Sequence, residues 1–372
     1  TIFVFLPFIL RGNGFLDIPL VLVFIILGVS NTSDMLEMVM AGCPNYTTEQ
    51  QKRYNAVEAL TRVVLSHPMK EMTRDEALDW IATNGCREKV QVKRVSTAHH
   101  IFINELFPHI GMSKEPKVLQ EKAYFVGRMT RGLISVFLGH ALPDDRDSFA
   151  NKHIHNTGSL IAILFRQLMR NSTKVLRSNI CKAVASGRHL EVVDFINYRK
   201  LTSSLRYHFA TGNWSLQQNV NTGVVMLMAR VCRAATLASG RRVNTQCNKD
   251  GKATECRNLH SSDPGMTCLH DTPEGQSCGI VENLASFTHI SMGVPTSAFV
   301  DTIREGIEGI ENPQVPPPPG WRPLFINGVL IGTVRREHLQ PVTDRIRRMR
   351  LLHGLPTDMG VVLTKQEEIH IT

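Results

Sequence analysis

The stretch Leu237–Ser286 reads LASGRRVNTQCNKDGKATECRNLHSSDPGMTCLHDTPEGQSCGIVENLAS, and the rest of the chain is best understood from it. It opens on the pair Arg241-Arg242 and crosses a loop rich in Gly, Lys and Asn that carries Lys249 and Lys252. It then reaches Arg257-Asn258-Leu259-His260 and closes on Asp271-Thr272-Pro273-Glu274-Gly275-Gln276. Arg and Lys on a loop between two ordered segments supply charge-assisted donors of the kind a phosphate backbone accepts. Composition alone stops at a nucleic acid or a nucleotide phosphate.

The order of the motifs says more. The chain carries Thr236-Leu237-Ala238-Ser239-Gly240-Arg241-Arg242, then Asn244-Thr245, Asp250-Gly251-Lys252, Arg257-Asn258-Leu259-His260, and Cys268 through Leu284. In sequence and spacing these resemble the fork region of the second-largest subunit of multisubunit DNA-directed RNA polymerases, in the form found in eukaryotes, archaea and large DNA viruses. This chain departs from the family pattern at Ser239-Gly240, where His-Leu is usual, and at Leu269 and Asp271, where Pro and Glu are common. Gly240 lowers helix propensity just before the arginine pair.

Further matches lie outside the fork. Leu6-Pro7-Phe8, Asp17-Ile18-Pro19 and Leu27-Gly28 follow the family's opening segment. Asp144-Asp145-Arg146-Asp147 before Asn151-Lys152 follows its D-D-R-D run, and Thr211-Gly212-Asn213-Trp214 its "TGNW" turn. The resemblance implies an α+β, multidomain chain. A helical lobe-like part (1–157) is followed by the returning part of a protrusion (158–222), a fork (223–300) and an external-1-like region (301–372).

The bulk numbers agree. A chain of 372 residues has room for two or three domains. A net charge of +9 favours a polyanionic partner. None of the eight cysteines forms a C-x-x-C pair, so a zinc knuckle has no support. Asn31, Asn45, Asn171 and Asn213 stand in N-x-S/T triplets, which arise often by chance. The first residue is Thr rather than Met, which reads as an internal piece or a processed chain. Residues 1–29 imitate a membrane span, but Arg11, Gly12, Asn13, Gly14, Asp17 and Pro19 cut the apolar run, and a span needs about 20 uninterrupted residues. Leu20–Gly28 suits a buried core strand or helix.

Helices are expected at Met35–Met40, capped by Ser33 or Asp34; at Thr48–Ser66, with Tyr54, Val57, Leu60 and Val64 on one face; at Arg74–Asn84, started by Thr73 and stopped by Gly85; and at Lys122–Leu138. Gly158–Arg170 reads as an apolar helix, and Gly223–Ala238 as a strut capped by Thr222 with Val225, Met228, Cys232 and Ala235 on one face. A strand is expected over Val281–Ser291, a helix over Ala298–Ile310, and an exposed polyproline linker over Pro316–Pro319. Asn327-Gly328 marks a type I′ hairpin. A helix over Glu337–His353 and a closing strand over Val361–Ile371 follow. Asp144–Asp147 reads as a turn neutralised by Arg146 rather than a Mg²⁺ site, and neither His99-His100 nor His153 with His155 reads as a metal pair.

The resemblance implies nucleotidyl transfer by an assembled polymerase, with no catalytic residue and no metal ligand in this chain. Mg²⁺ belongs mainly to the largest subunit, and a zinc-bearing clamp is expected beyond Thr372. The expected nucleic-acid- or nucleotide-binding residues are Arg241, Arg242, Lys249, Lys252, Arg257, His260 and Glu274, with Glu274 orienting a neighbouring cation. The implied partners are the largest and smaller polymerase subunits, DNA template, RNA product and ribonucleoside triphosphates, with no membrane. The implied location is the nucleus for a cellular enzyme, and a cytoplasmic factory or virion for a viral one. The alternative is a stand-alone basic nucleic-acid-binding protein or regulatory paralogue.

Overall fold

The structure is a computed structural model and describes residues 5–10, 14–41, 48–85, 91–187, 191–196, 198–214, 224–245, 247, 254–290, 296–307, 309–352, 354–364 and 367–372. The chain forms two compact units, Thr1–Pro143 with Ser291–Thr372, and Asp144–Ile290. The mixture of helix and sheet is the α+β class expected.

The first unit opens with an antiparallel hairpin of β1 (Phe5–Leu10) and β2 (Gly14–Pro19), which leads directly into α1 (Leu20–Ile26). All seven residues of α1 are buried. A helix apolar on every side must be enclosed by protein or lipid, and at this length protein is the only choice. Its end is a Schellman turn: Gly28 takes φ +94°, its N–H reaches the Ile25 carbonyl at 3.0 Å, and the Val29 N–H reaches Phe24 at 2.9 Å. Among the described residues no helix is long and apolar enough to cross a membrane.

Helix α2 (Thr32–Met40) starts from Asn31, so Ser33 and Asp34 lie inside its first turn rather than capping it. There Asp34 accepts from Asn31 Nδ2 at 3.1 Å and favours the positive helix end. In α3 (Thr48–Leu65), Val57 and Val64 are buried, and Tyr54 and Leu60 pack on the same core, as expected. Helix α4 (Arg74–Gly85) opens on a reciprocal cap in which the Thr73 N–H donates to Glu76 Oε2 at 2.8 Å and the Glu76 N–H to Thr73 Oγ1 at 3.4 Å. Helix α5 (Gln91–His100) continues into a π-helical turn, Ile101–Glu105. Helix α6 (Pro116–Phe137) begins well before Lys122, because Pro116 fits the first turn. Lys122 is fully buried, and its ammonium donates to the Ile103 carbonyl at 2.7 Å, inside the π-helical turn.

The second unit is built on α7 (Thr157–Ala185), a 29-residue helix capped by Asn156, whose Oδ1 accepts from the Ser159 N–H at 2.9 Å. Helix α8 (Tyr198–Thr211) leads to Trp214, whose indole donates to the Leu160 carbonyl at 2.8 Å and closes a small core with Leu164 and Leu168. The long strut expected over Gly223–Ala238 is absent: the helix here is α9 (Arg233–Gly240). Val224 and Val225 pack on the Trp214 core instead, and the Val224 N–H is taken by the Gly212 carbonyl at 3.2 Å. Helix α9 starts where Cys232 Sγ accepts from the Ala235 N–H. Strand β3 (Arg242–Asn244) pairs antiparallel with β4 (Val281–Asn283), so the strand expected to reach Ser291 is three residues long. Beyond it the chain turns back, with the Ala285 N–H donating to the Met266 carbonyl at 3.0 Å.

The chain then returns to the first unit. Helix α10 (Ser297–Gly306) stops short of Ile310, which belongs to β5 (Ile310–Glu311). The prolines after it do not form an exposed linker. Pro317 is buried, Val315 packs on the first core, and the Trp321 N–H donates to the Pro318 carbonyl at 3.1 Å. Strands β6 (Trp321–Ile326) and β7 (Val329–Arg335) form the expected hairpin, with Asn327 at φ 48° and Gly328 at φ 80°, as a type I′ turn requires. Helix α11 (Leu339–Leu351) follows, and the expected closing strand is instead a second hairpin, β8 (Val361–Leu363) and β9 (Ile369–Ile371), turned at Glu367 with φ 62°. The sheet order is β5-β7-β6-β9-β8, with β6 and β9 parallel. Alternate residues of β6 face opposite sides: Leu324 and Ile326 join α11 in one core, and Phe325 joins the helical core. Helix α6 is tied to β9 by Glu368, which meets Arg128 at 2.6 Å and Arg131 at 3.1 Å.

Candidate nucleic-acid interface

The candidate site lies in the second unit and is built on the β3–β4 pair. Helix α9 ends at Gly240, Arg241 is its C-cap, and Arg242 opens β3. Arg241 is half-buried and donates to the Ala285 carbonyl, which makes it a brace between the strand and the turn that follows β4. Arg242 is exposed.

Residues 272–281 form a loop closed at its neck. Thr272 Oγ1 accepts from the Gly279 N–H at 3.0 Å and donates to the Val281 carbonyl at 3.1 Å. Inside the loop, Arg257 Nη1 donates to the carbonyls of Gln276 at 2.7 Å and Cys278 at 2.9 Å. Gly279, at φ +70°, lets the loop lie against the Arg257 backbone, since a Cβ there would stand 2.7 Å from Arg257 Cα. Glu274 is exposed at the start of the short 3₁₀ turn Gly275–Ser277. Arg257 is therefore held in part by main-chain carbonyls of this loop, and Glu274 is exposed at its start.

His260 is pinned on both ring nitrogens, 2.7 Å from Ser262 Oγ and 2.7 Å from Asp145 Oδ2. The Asp147 N–H, and then the His260 ring, hold the Asp145 carboxyl below its usual range. His260 is thus the partner of the Asp144–Asp147 turn where Arg146 was expected. The His260 N–H donates to Asp263 Oδ2 at 2.6 Å, and Ser262 Oγ accepts from the Phe149 N–H at 3.0 Å. Burial pushes the Glu282 carboxyl of β4 up, against Lys152.

Lys249 and Lys252 lie outside the described residues. Among the others, the structure gathers Arg241, Arg257 and Glu274 around one strand pair and gives His260 a structural post. Sequence reasoning missed Thr272 as the neck of the loop, and Ser262 and Asp263 as the anchor of His260. Ser261-Ser262-Asp263-Pro264-Gly265 is a dense turn signal that marks the latter. Among the described residues, no group of three or more His, Cys, Asp or Glu is placed to hold a metal ion.

Residues 15–155 match the family model "RNA polymerase Rpb2, domain 2", and residues 226–290 match "RNA polymerase Rpb2, domain 3". The chain belongs to the family of second-largest subunits of DNA-directed RNA polymerase. It is 33% identical over 350 residues to DNA-directed RNA polymerase II subunit 2 of Arabidopsis thaliana, covering 93% of this chain and 28% of that protein. It is 33% identical over 358 residues to subunit RPB2 of RNA polymerase II of Schizosaccharomyces pombe, covering 95% of this chain and 28% of that protein. Against subunit Rpo2 of the RNA polymerase of Sulfolobus acidocaldarius it is 28% identical over 310 residues, covering 80% of this chain and 27% of that protein. The chain thus spans about three tenths of the length of the curated relatives it matches.

Proposed function

We propose that this chain works as part of the second-largest subunit of a DNA-directed RNA polymerase and positions template, downstream DNA and nucleotide near the active centre. The observation that carries this reading is the pair of Rpb2 domain matches in their order along one chain, the second of which spans the whole β3–β4 site. Exposed Arg242, with Lys249 and Lys252, contacts phosphate. Arg257 acts as a positioning residue, holding the 272–281 loop and with it Glu274. We assign the Mg²⁺ of the reaction mainly to the largest subunit. The proposed partners are the largest and smaller polymerase subunits, DNA, RNA and ribonucleoside triphosphates, and the proposed location is the nucleus, as for the polymerase II relatives.

The test is charge reversal in an assembled polymerase carrying this chain. Arg257→Glu and Arg242→Glu should each lower RNA synthesis while subunit assembly survives. For Arg242→Glu the loss should be deepest at low salt and shrink as salt is raised, because one fewer phosphate contact flattens the salt dependence. Full synthesis by both variants would refute the site.

A further inference from the structure

Helix α11 carries the arginines Arg345, Arg347, Arg348 and Arg350, and the fold uses only two of them. Arg347 Nη2 donates to the Val361 carbonyl at 3.2 Å and Arg350 Nη1 to the Met359 carbonyl at 2.7 Å, so both brace the chain at the start of β8. Arg345 and Arg348 are exposed and have no hydrogen-bond or ion-pair partner among the described residues. Asp344, the helix's own carboxylate, is taken up by Arg347 at 3.4 Å and by Gln340 at 3.2 Å. The helix dipole accounts for Arg348, in the last turn, but not for Arg345.

The two free guanidiniums share their surface with apolar groups. Residues three and four apart lie on one helix face, so Pro341, Arg345, Arg348 and Leu352 form a stripe, and all four are exposed. It faces away from Leu339, Val342 and Ile346, which are buried in the core. Leu352 is 81% exposed, and its neighbour Leu351 71%. A nucleic-acid backbone would take the arginines and leave the leucines in water. A protein surface takes both, and arginine is among the residues enriched at protein interfaces.

We propose that this stripe of α11 is a docking surface for an acidic protein segment supplied by another subunit of the assembled polymerase. Carboxylates of that segment pair with Arg345 and Arg348, each guanidinium offering two parallel N–H donors, and an apolar side chain covers Leu351 and Leu352. The proposal rests on the polymerase reading above, but on no residue of the β3–β4 site.

The test is arginine footprinting with phenylglyoxal, read by peptide mass spectrometry. It compares the 372-residue chain alone with an assembled polymerase carrying it, each with and without template DNA. Labelling of Arg345 and Arg348 should fall roughly tenfold on assembly, with or without DNA, because an arginine at the centre of an interface is desolvated. The double variant Arg345→Glu with Arg348→Glu should lose another subunit at lower salt than the parent polymerase does. Its own thermal unfolding should be unchanged, since neither side chain has a partner in the fold. Equal labelling of the free and assembled chain overturns the proposal. Protection that appears only with DNA overturns it too, and makes the stripe a phosphate contact. Failure of the chain to enter any polymerase overturns both this proposal and the reading beneath it. Protection on assembly together with full RNA synthesis by Arg257→Glu and Arg242→Glu would sink the β3–β4 site and support this surface.

Discussion

One glycine and one carboxylate carry most of the consequence at the level of single residues. Gly279 has a positive φ and lies against the Arg257 backbone. Gly279→Ala should destabilise the second unit by at least about 2 kcal/mol, because the methyl group adds both strain and a clash. Limited proteolysis of the fork-like stretch reads this out, and unchanged resistance would contradict the packing. Glu368 is nearly fully buried. Burial pushes its carboxyl up, but the His370 hydrogen bond and the cations of Arg128 and Arg131 outweigh it, so the carboxyl titrates below its usual 4.5. With the folded value depressed, its stabilisation is complete above about pH 4.5 and is lost as pH falls through the folded value. Glu368→Gln should cost about 3 kcal/mol at pH 7, by leaving two arginines without their anion. It should also flatten the acid limb of a urea-denaturation series from pH 7 to pH 3.

The most exposed test at the scale of the element is the start of α4. The reciprocal cap between Thr73 and Glu76 satisfies two N–H groups that the helix leaves open. Thr73→Ala should lower the stability of the first unit by about 1 kcal/mol, measured by thermal or chemical denaturation, whereas Thr73→Ser should be close to neutral. The β6–β7 turn makes a similar point. Asn327 and Gly328 both take positive φ, and Gly328→Ala should cost about 1 kcal/mol. These elements were legible because their signals are local: a cap three residues from its partner, or a dipeptide suited to one turn type. The strut expected over Gly223–Ala238 was not, because helical spacing of Val225, Met228 and Cys232 says nothing about the Trp214 core that takes up the valines.

The first unit, at the scale of the whole molecule, is assembled from two distant pieces of chain, and Phe325 and Leu330 complete a core otherwise made of residues 18–134. A chain truncated after Ile290 should therefore lose the cooperative unfolding of the helical part and be cleaved rapidly within α1 to α6, while residues 144–290 retain their protease-resistant core. Slow cleavage of the truncated chain throughout that region would contradict the packing described.

The family, the α+β class, and the helices and hairpin whose caps and turn residues are local can all be read from the order of residues along the chain. That order also points to the fork-like stretch as the site, because its motifs depend on order and spacing along one chain. What those residues touch depends on contacts made across the fold. Arg257 grips carbonyls of the 272–281 loop, Arg241 braces a turn, and His260 anchors the Asp144–Asp147 run across more than a hundred residues of sequence. The closing strand became a hairpin and the proline run became part of a core for the same reason. Each outcome depends on which distant carbonyl, carboxylate or apolar face reaches the residue first, and that competition is settled by packing in three dimensions rather than by spacing along the chain.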